Sequence, residues 1–375
     1  MLNSFGYTEI LDLKRKKQYR TLPNLSGIDF SSNDYLSLAN SEVIRNKLIQ
    51  ALEKGIPLGS TGSRLISGNT EFHLQAENIL SQFLGRKAVL TFSSGYIANE
   101  GIISTFGKDS EIFSDEMNHS SIIKGIKLSK SPYYIFRHNN MNHLESLLKT
   151  RKSSKQKVII SEALFSMDGD LSPINDLVGL SEKYNSLLII DEAHSTGVYG
   201  TDGKGLLYDV NFDEEKVLSI HTGGKALGAH GCFVGCSEKL KEYLINFCHH
   251  FIYSTALPPI QCLHLQYACE EIQKMSQYRD ELYEKSLFTR KLFQSTYDIG
   301  KSNSHIVPVI KGNNCSVLEI SNKLKKRGFG VIPIRFPTVK KGSERIRLSI
   351  RAEHTKDDIK NLFDAFLNLS RDTDV

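Results

Sequence analysis

The chain has 375 residues, 40% of them hydrophobic and 24% charged, with 27 glycines and 9 prolines. That length fits two or three domains, and the composition excludes a disordered or fibrous protein. Lys and Arg number 47 against 42 Asp and Glu, a net charge of +5 that does not argue for nucleic acid and at most favours an acidic small substrate.

No apolar run reaches the roughly 18–20 residues of a bilayer span, and Met1 to Ile10 lacks a basic patch followed by an apolar core, the pattern of a secretory signal. The expectation is a cytoplasmic protein with no membrane span. Cysteines at 232, 236, 248, 262, 269 and 315 show no CxxC spacing and read as reduced core thiols.

The first 20 residues are polar, and the run Lys14, Arg15, Lys16, Lys17 reads as the solvated face of an N-terminal arm. From Ser41 to Lys54, Val43, Ile44, Leu48, Ile49 and Leu52 repeat with helical period, and Gly55 ends the stretch. Thr70 reads as the N-cap of a second helix, with Phe72, Ala76, Ile79, Leu80 and Phe83 on one face and Gly85 as its stop. Short apolar runs then alternate with helical stretches: Ala88–Phe92, Tyr133–Phe136, Val158–Ser161, Leu187–Ile190 and Val217–Ile220. Leu187 to Ile190 is apolar at every position, as in a parallel strand covered on both faces. This alternation predicts a doubly wound α/β sheet, whose ligands sit beyond the carboxyl ends of the strands. From Pro258 the texture becomes α+β: two long helices to about Tyr297, strands at Ile306–Ile310 and Ile346–Ile350, and a final helix. The expected division is an N-terminal arm (1–45), a large α/β domain (46–275) and a small α+β domain (276–375).

The strand ends carry the chemistry. Ser93-Ser94-Gly95-Tyr96 opens a helix after the first run, either a plain N-cap or a seat for a phosphate, since a helix start offers unpaired N–H groups and a positive dipole end. Asp115, Asn118 and His119 follow the strand-like Ile112–Phe113, and a lone histidine is more often structural than catalytic. Phe165 to Asp170 supplies a hydroxyl, Ser166, within what could be a simple Asp-Gly turn. Asp191-Glu192-Ala193-His194 places two carboxylates and an imidazole at a buried strand's end, where they need partners. Lys225 sits among small residues in His221-Thr222-Gly223-Gly224-Lys225-Ala226-Leu227-Gly228. A confined, partly apolar pocket lowers an amine's pKa and lets it act as nucleophile or base. The Asp191–His194 segment imitates a helicase acidic box, but no G-x-x-x-x-G-K-[ST] loop precedes it. Neither HExxH nor GxGxxG is present, so zinc-protease and dinucleotide readings lack support, and no metal site is expected. An anion seat, a ring-like His, a strand-end carboxylate and a lone lysine are together what pyridoxal phosphate requires.

These residues resemble the α-oxoamine synthases, pyridoxal-phosphate enzymes of the aspartate-aminotransferase fold (fold type I). The resemblance runs nearly end to end, through Ser31–Leu36, Gly62–Thr70, Ser93–Tyr96, Asn118–Ile122, Phe165–Asp170, Asp191–Val198, Gly224–Gly228 and Tyr253–Pro259 in order. It implies a large, mainly parallel doubly wound domain with a smaller α+β C-terminal domain, and a homodimer with shared active sites. The implied activity is decarboxylative condensation of an amino acid with an acyl thioester. Ser67–Thr70, Ser254–Pro259 and Ile334–Val339 look most like the member that uses L-alanine and a pimeloyl thioester, with glycine- or serine-using members, or a non-catalytic partner subunit, as alternatives.

Carried over by position, the resemblance makes Lys225 the Schiff-base lysine, Asp191 the partner of the pyridine nitrogen and His119 the residue stacked on the ring. His194 and Ser166 would contact the phenolic oxygen and nearby groups, Gly95 and Tyr96 would offer backbone contacts, and Thr222 would meet the phosphate. Arg335 would hold the amino-acid carboxylate, Thr338 would line the acyl site, and Arg20 and Asn33 would contact substrate. Two departures stand out: Ser195 replaces the glycine that often follows the family histidine, and Gly224 replaces a bulkier residue before the lysine.

Overall fold

The alternating half of the sequence folds into a seven-stranded sheet. In chain order its strands are β1 (Ala88–Phe92), β2 (Glu111–Asp115), β3 (Tyr133–Phe136), β4 (Lys157–Glu162), β5 (Ser186–Asp191), β6 (Val217–Thr222) and β7 (Cys232–Cys236). They lie side by side as β1-β7-β6-β5-β4-β2-β3. The computed structural model describes residues 6–24, 26–151 and 154–371; Met1 to Phe5 of the expected arm lie outside them.

Strands β2 to β6 are joined by parallel ladders, and β7 pairs antiparallel with both β6 and β1. Only β7 is reversed, so β1, β2, β4, β5 and β6 all end at one edge. The period-2 alternation buries both faces: Val158, Ile160, Leu187 and Ile189 pack into one core, and Ile159, Leu188 and Ile190 into the other. That is the doubly wound arrangement expected. Strand β7 was not anticipated. Its sequence, Cys-Phe-Val-Gly-Cys, is short and holds Gly235, where a Cβ would lie 2.8 Å from Ser219 Oγ and 3.0 Å from Arg86 Cγ.

The helices flanking the sheet start where side-chain chemistry says they should. Ser41 caps Glu42–Glu53 by accepting from the Ile44 amide, and Thr70 and His73 form a reciprocal capping box on Glu71–Leu84, which Gly85 closes at φ +63°. Five cysteines are buried, and burial pushes the Cys236 and Cys262 thiols up to about 12; Cys315 departs from the expectation of core thiols and is exposed.

The chain divides into two compact units. One holds residues 34–166 and 171–279; the other gathers 1–33, 167–170 and 280–375. The expected 1–45 arm therefore differs from what is seen. Its first part carries a helix, Tyr7–Arg15, and residues before Asp34 group with the C-terminal unit through the parallel pairing of Ile28–Asp29 with Phe329–Gly330. The expected boundary near 275 moves into the helix Ser276–Gln294. Within the C-terminal unit, Ile306–Ile310, Arg345–Ser349 and Pro333–Ile334 form a three-stranded antiparallel sheet.

Full burial of His221 on β6 has a consequence for acid stability. Its ring stacks on Phe233 at 5.1 Å, Nδ1 meets Thr196 Oγ1 at 2.7 Å, and burial pushes its pKa down to about 3 from the usual 6.5. The folded state keeps it neutral while the unfolded chain protonates it, so stability falls as pH drops from about 6.5 toward 3, at about 1.4 kcal/mol per pH unit for this one group. Denaturant unfolding at pH 7, 6 and 5 should show a shallower decline for His221→Gln than for the native chain. Parallel pH dependences would refute the assignment.

Candidate active site

The common edge of the sheet brings five loops together. After β1, Ser94 caps the helix Gly95–Gly107 by accepting from the Ile97 amide at 3.3 Å. The first N–H groups of that helix have no intrahelical acceptor by geometry. Gly95 lies against Thr222 at the end of β6, where an added Cβ would stand 3.4 Å from Thr222 Cβ and 3.5 Å from its Oγ1. The absent side chain leaves backbone and hydroxyl facing a shared space. The Tyr96 ring meets His119 edge to face at 6.5 Å.

His119 follows β2 as the N-cap of helix Ser120–Ser129, with Nδ1 2.8 Å from Ser121 Oγ. Desolvation holds this imidazole below its usual range, helped by the charge of Lys225 and opposed by that of Asp191. Asp191 ends β5 in a buried position. Its Oδ2 accepts from Asn99 Nδ2 at 2.7 Å and its Oδ1 from the Ala193 amide at 2.8 Å. His194 is buried, with Nδ1 2.6 Å from the Tyr35 hydroxyl. Ser166 lies four residues past β4, whose last residue, Glu162, is paired in register with Asp191.

Lys225 is half-buried in a turn fixed by backbone bonds from Gly223 to the Gly231 carbonyl, from Gly228 to the Lys225 carbonyl and from Ala229 to the Gly223 carbonyl, each 2.9 Å. Glycine is required twice in this turn. A Cβ on Gly223 would come within 2.5 Å of Leu265, and Gly228, at φ +58°, lies so close to Ala39 that a Cβ would reach 2.2 Å from its backbone nitrogen. Gly224, the departure noted in the sequence, is exposed and has room for a side chain. The other departure, Ser195, has a local use: its hydroxyl bonds the buried Glu192 carboxyl, which also accepts from the amides of Leu206 at 3.0 Å and Leu207 at 2.7 Å. Glu192 therefore fastens a loop, and burial raises its pKa.

The structure thus brings Gly95, Tyr96, His119, Ser166, Asp191, His194, Thr222 and Lys225 to one edge of one unit. Arg20, Asn33, Arg335 and Thr338 belong to the other unit. There Arg335 donates to the backbone carbonyls of Lys17 at 2.7 Å and Tyr19 at 3.1 Å, and Arg20 donates to Thr338 Oγ1 at 3.3 Å. All but Asn33 border a cavity of about 500 Å³ that also takes in Lys325 and the apolar Leu22, Val331 and Ile334. Asp168, on the Phe165–Asp170 segment, pairs with Arg345 at 2.7 Å within this unit. Sequence reasoning missed three residues at the sheet edge: Tyr35, Asn99 and Glu162. Asn99 was findable, being one helical turn beyond Gly95; the other two become relevant only through tertiary placement.

A buried carboxylate supplied with two donors, a histidine whose Nδ1 is fixed by a tyrosine, a helix start beside a threonine hydroxyl and a half-buried lysine are residues that fit pyridoxal phosphate. The sequence matches the aminotransferase class I and II family over residues 26–366. A Halalkalibacterium halodurans protein named "Putative 8-amino-7-oxononanoate synthase" is 40% identical over 352 residues, 93% of this chain and 88% of the relative. Among solved structures, Sphingomonas wittichii serine palmitoyltransferase superposes with a TM-score of 0.86 at 26% identity, covering 92% of this chain and 88% of that one. The 8-amino-7-oxononanoate synthase of Francisella tularensis does so with a TM-score of 0.80 at 26% identity, covering 93% and 99%. The chain belongs to the aminotransferase class I and II family and, within it, to the α-oxoamine synthases, pyridoxal-phosphate-dependent acyltransferases. Among the described residues no helix is long and apolar enough to cross a membrane, and no cluster of His, Cys, Asp and Glu could hold a metal.

Proposed function

We propose that the enzyme condenses L-alanine with a pimeloyl thioester, carried by coenzyme A or acyl carrier protein, to give 8-amino-7-oxononanoate, CO2 and free thiol, a step of biotin biosynthesis. The observation that carries this reading is the 40% identity, over nearly the whole chain, to a relative of that name. Pyridoxal phosphate, when bound, supplies the electron sink that makes negative charge at the amino acid's Cα tolerable.

The chain's own residues do the rest. Lys225 would hold the cofactor covalently and, once freed, would take the Cα proton on Nζ, the transfer a positioned base performs. Asp191, kept in place by Asn99 and the Ala193 amide, holds a proton on the ring nitrogen. His119 stacks on the ring. The Tyr35 hydroxyl stands 2.6 Å from His194 Nδ1; an imidazole that accepts there keeps its proton on Nε2, to donate to the phenolic oxygen with Ser166 beside it. Gly95, Tyr96 and Thr222 hold the phosphate side. Arg335 exchanges the Lys17 and Tyr19 carbonyls for the substrate carboxylate through a bidentate contact. Thr338, Arg20 and Asn33 contact the substrates. In bond terms, the new C–C bond forms at the thioester carbon as its C–S bond breaks, the carboxyl group then leaves as CO2, and a proton returns to Cα. The same reading makes the working unit a cytoplasmic homodimer with shared sites.

The serine palmitoyltransferase likeness favours a second reading, in which L-serine and a longer acyl thioester are used. The purified enzyme incubated with pimeloyl-coenzyme A and L-alanine, glycine or L-serine, with products resolved by mass spectrometry, separates the two. The proposal expects the L-alanine product to dominate. A dominant serine or glycine product would replace the substrate and keep the class.

A further inference from the structure

At the carboxyl ends of β4 and β5, Glu162 and Asp191 are in-register neighbours on adjacent parallel strands, a spacing of about 4.8 Å between backbones. Both side chains are buried, with exposures of 3% and 6%. Their surroundings differ. Asp191 receives donors on both oxygens, from Asn99 and from the Ala193 amide. Glu162 Oε1 has no hydrogen-bond partner among the described residues, and the backbone N–H groups of His119 and Ser166 face its carboxyl. Two carboxylates on in-register neighbours of a buried sheet edge cannot both ionise cheaply, and the proton goes to the one less well supplied with donors.

We propose that Glu162 is a positioning residue: an uncharged carboxylic acid that ties the His119 and Ser166 segments together and leaves the negative charge of this corner to Asp191. The groups that face it agree. Asp191 on β5 and burial both favour the protonated acid; Lys225 after β6 and the two amides oppose it, and burial is the largest influence. As a neutral acid Glu162 still accepts both amides on one oxygen and carries its proton on the oxygen that lacks a donor. The two loops it joins are those whose side chains the proposed function sets on the cofactor ring, so this inference rests on the cofactor assignment and not on which amino acid is used.

The test is made on the cofactor-loaded enzyme and on E162Q and E162A. Glutamine copies the neutral acid in size and in acceptor, so E162Q should bind pyridoxal phosphate within about threefold of the native affinity and leave the pH midpoint of the bound cofactor's visible band in place. E162A strands two buried amides and should weaken cofactor binding about tenfold or more. Infrared difference spectra of native enzyme minus E162Q at neutral pH should show the C=O stretch of a protonated carboxyl. If Glu162 is instead charged, E162Q removes a negative charge beside a cationic centre. The midpoint then falls by about one pH unit and the difference spectrum shows a carboxylate band; either result overturns the proposal. So does an E162Q that loses cofactor as E162A does. Should E162A fail to fold, the infrared and midpoint readings on E162Q still decide. A native protein with no visible band would instead strike the cofactor assignment, an outcome distinct from all of these.

Discussion

Lys225→Ala should lose about 10,000-fold or more in turnover, because the proposed mechanism uses one side chain both as the covalent anchor and as the base at Cα, and a positioned base alone is worth about 100- to 10,000-fold. Lys225→Arg should be equally inactive. It keeps the positive charge but cannot give up its proton, so the pair separates loss of charge from loss of a base. The fold should survive both changes, since the turn is held by the backbone bonds of Gly223, Gly228 and Ala229, with the lysine contributing its carbonyl. Product formation is the primary measurement, and circular dichroism confirms the fold. A Lys225→Ala enzyme keeping more than about a hundredth of native turnover would remove the lysine from its assigned role.

Glu77→Ala should cost about 3–5 kcal/mol of stability, a large loss for a single change. Glu77 is buried against Arg64, with Nη1 2.6 Å from Oε1, and accepts from the amide and hydroxyl of Thr91 at 2.9 Å each; Lys241 lies 3.4 Å from its other oxygen. Truncation leaves the Arg64 guanidinium buried without its counter-charge and strands the Thr91 amide. Burial acts to raise the Glu77 pKa, but Arg64, Lys241 and Thr91 outweigh it and set it below the ordinary 4.5. Its stabilisation is therefore complete above that value and lost as pH falls through the lower, folded value. Chemical denaturation of Glu77→Ala beside a double variant, Arg64→Met with Glu77→Leu, checks the cause. The double variant should recover much of the loss, since a well-packed apolar pair removes both charges together. A double variant as unstable as the single one would show that the arginine was never the problem.

The parts of this molecule that the sequence made legible are those governed by local pattern. The all-apolar Leu187–Ile190, the Thr70 cap and the small-residue stretch around Lys225 are each written in consecutive residues, and each lies where that pattern placed it. Strand β7 escaped because Gly235 makes a strand look like a turn until Ser219 and Arg86 are seen against it. The grouping of residues before Asp34 with the C-terminal unit escaped for a different reason. Two residues, Ile28 and Asp29, pair with a partner three hundred positions away, and nothing in the local sequence announces it. The strand-end residues singled out in the sequence, from Gly95 to Lys225, lie at one edge of the sheet because each ends or follows a strand. Glu162 could not be singled out in this way, because its importance comes from standing opposite Asp191 across a ladder.

The reversed strand also sets an order of assembly. Strand β1 is the first of the seven to be synthesised, yet its one neighbour is β7, the last; Phe92 waits for Cys232. A nascent chain that has delivered β2 to β6 can join those five in parallel while β1 remains an open edge, and open edges invite pairing with other chains. The helix Gly95–Gly107 that follows β1 packs directly on β6 and on the helix Ser120–Ser129, while β1 itself gains its strand neighbour only when β7 arrives.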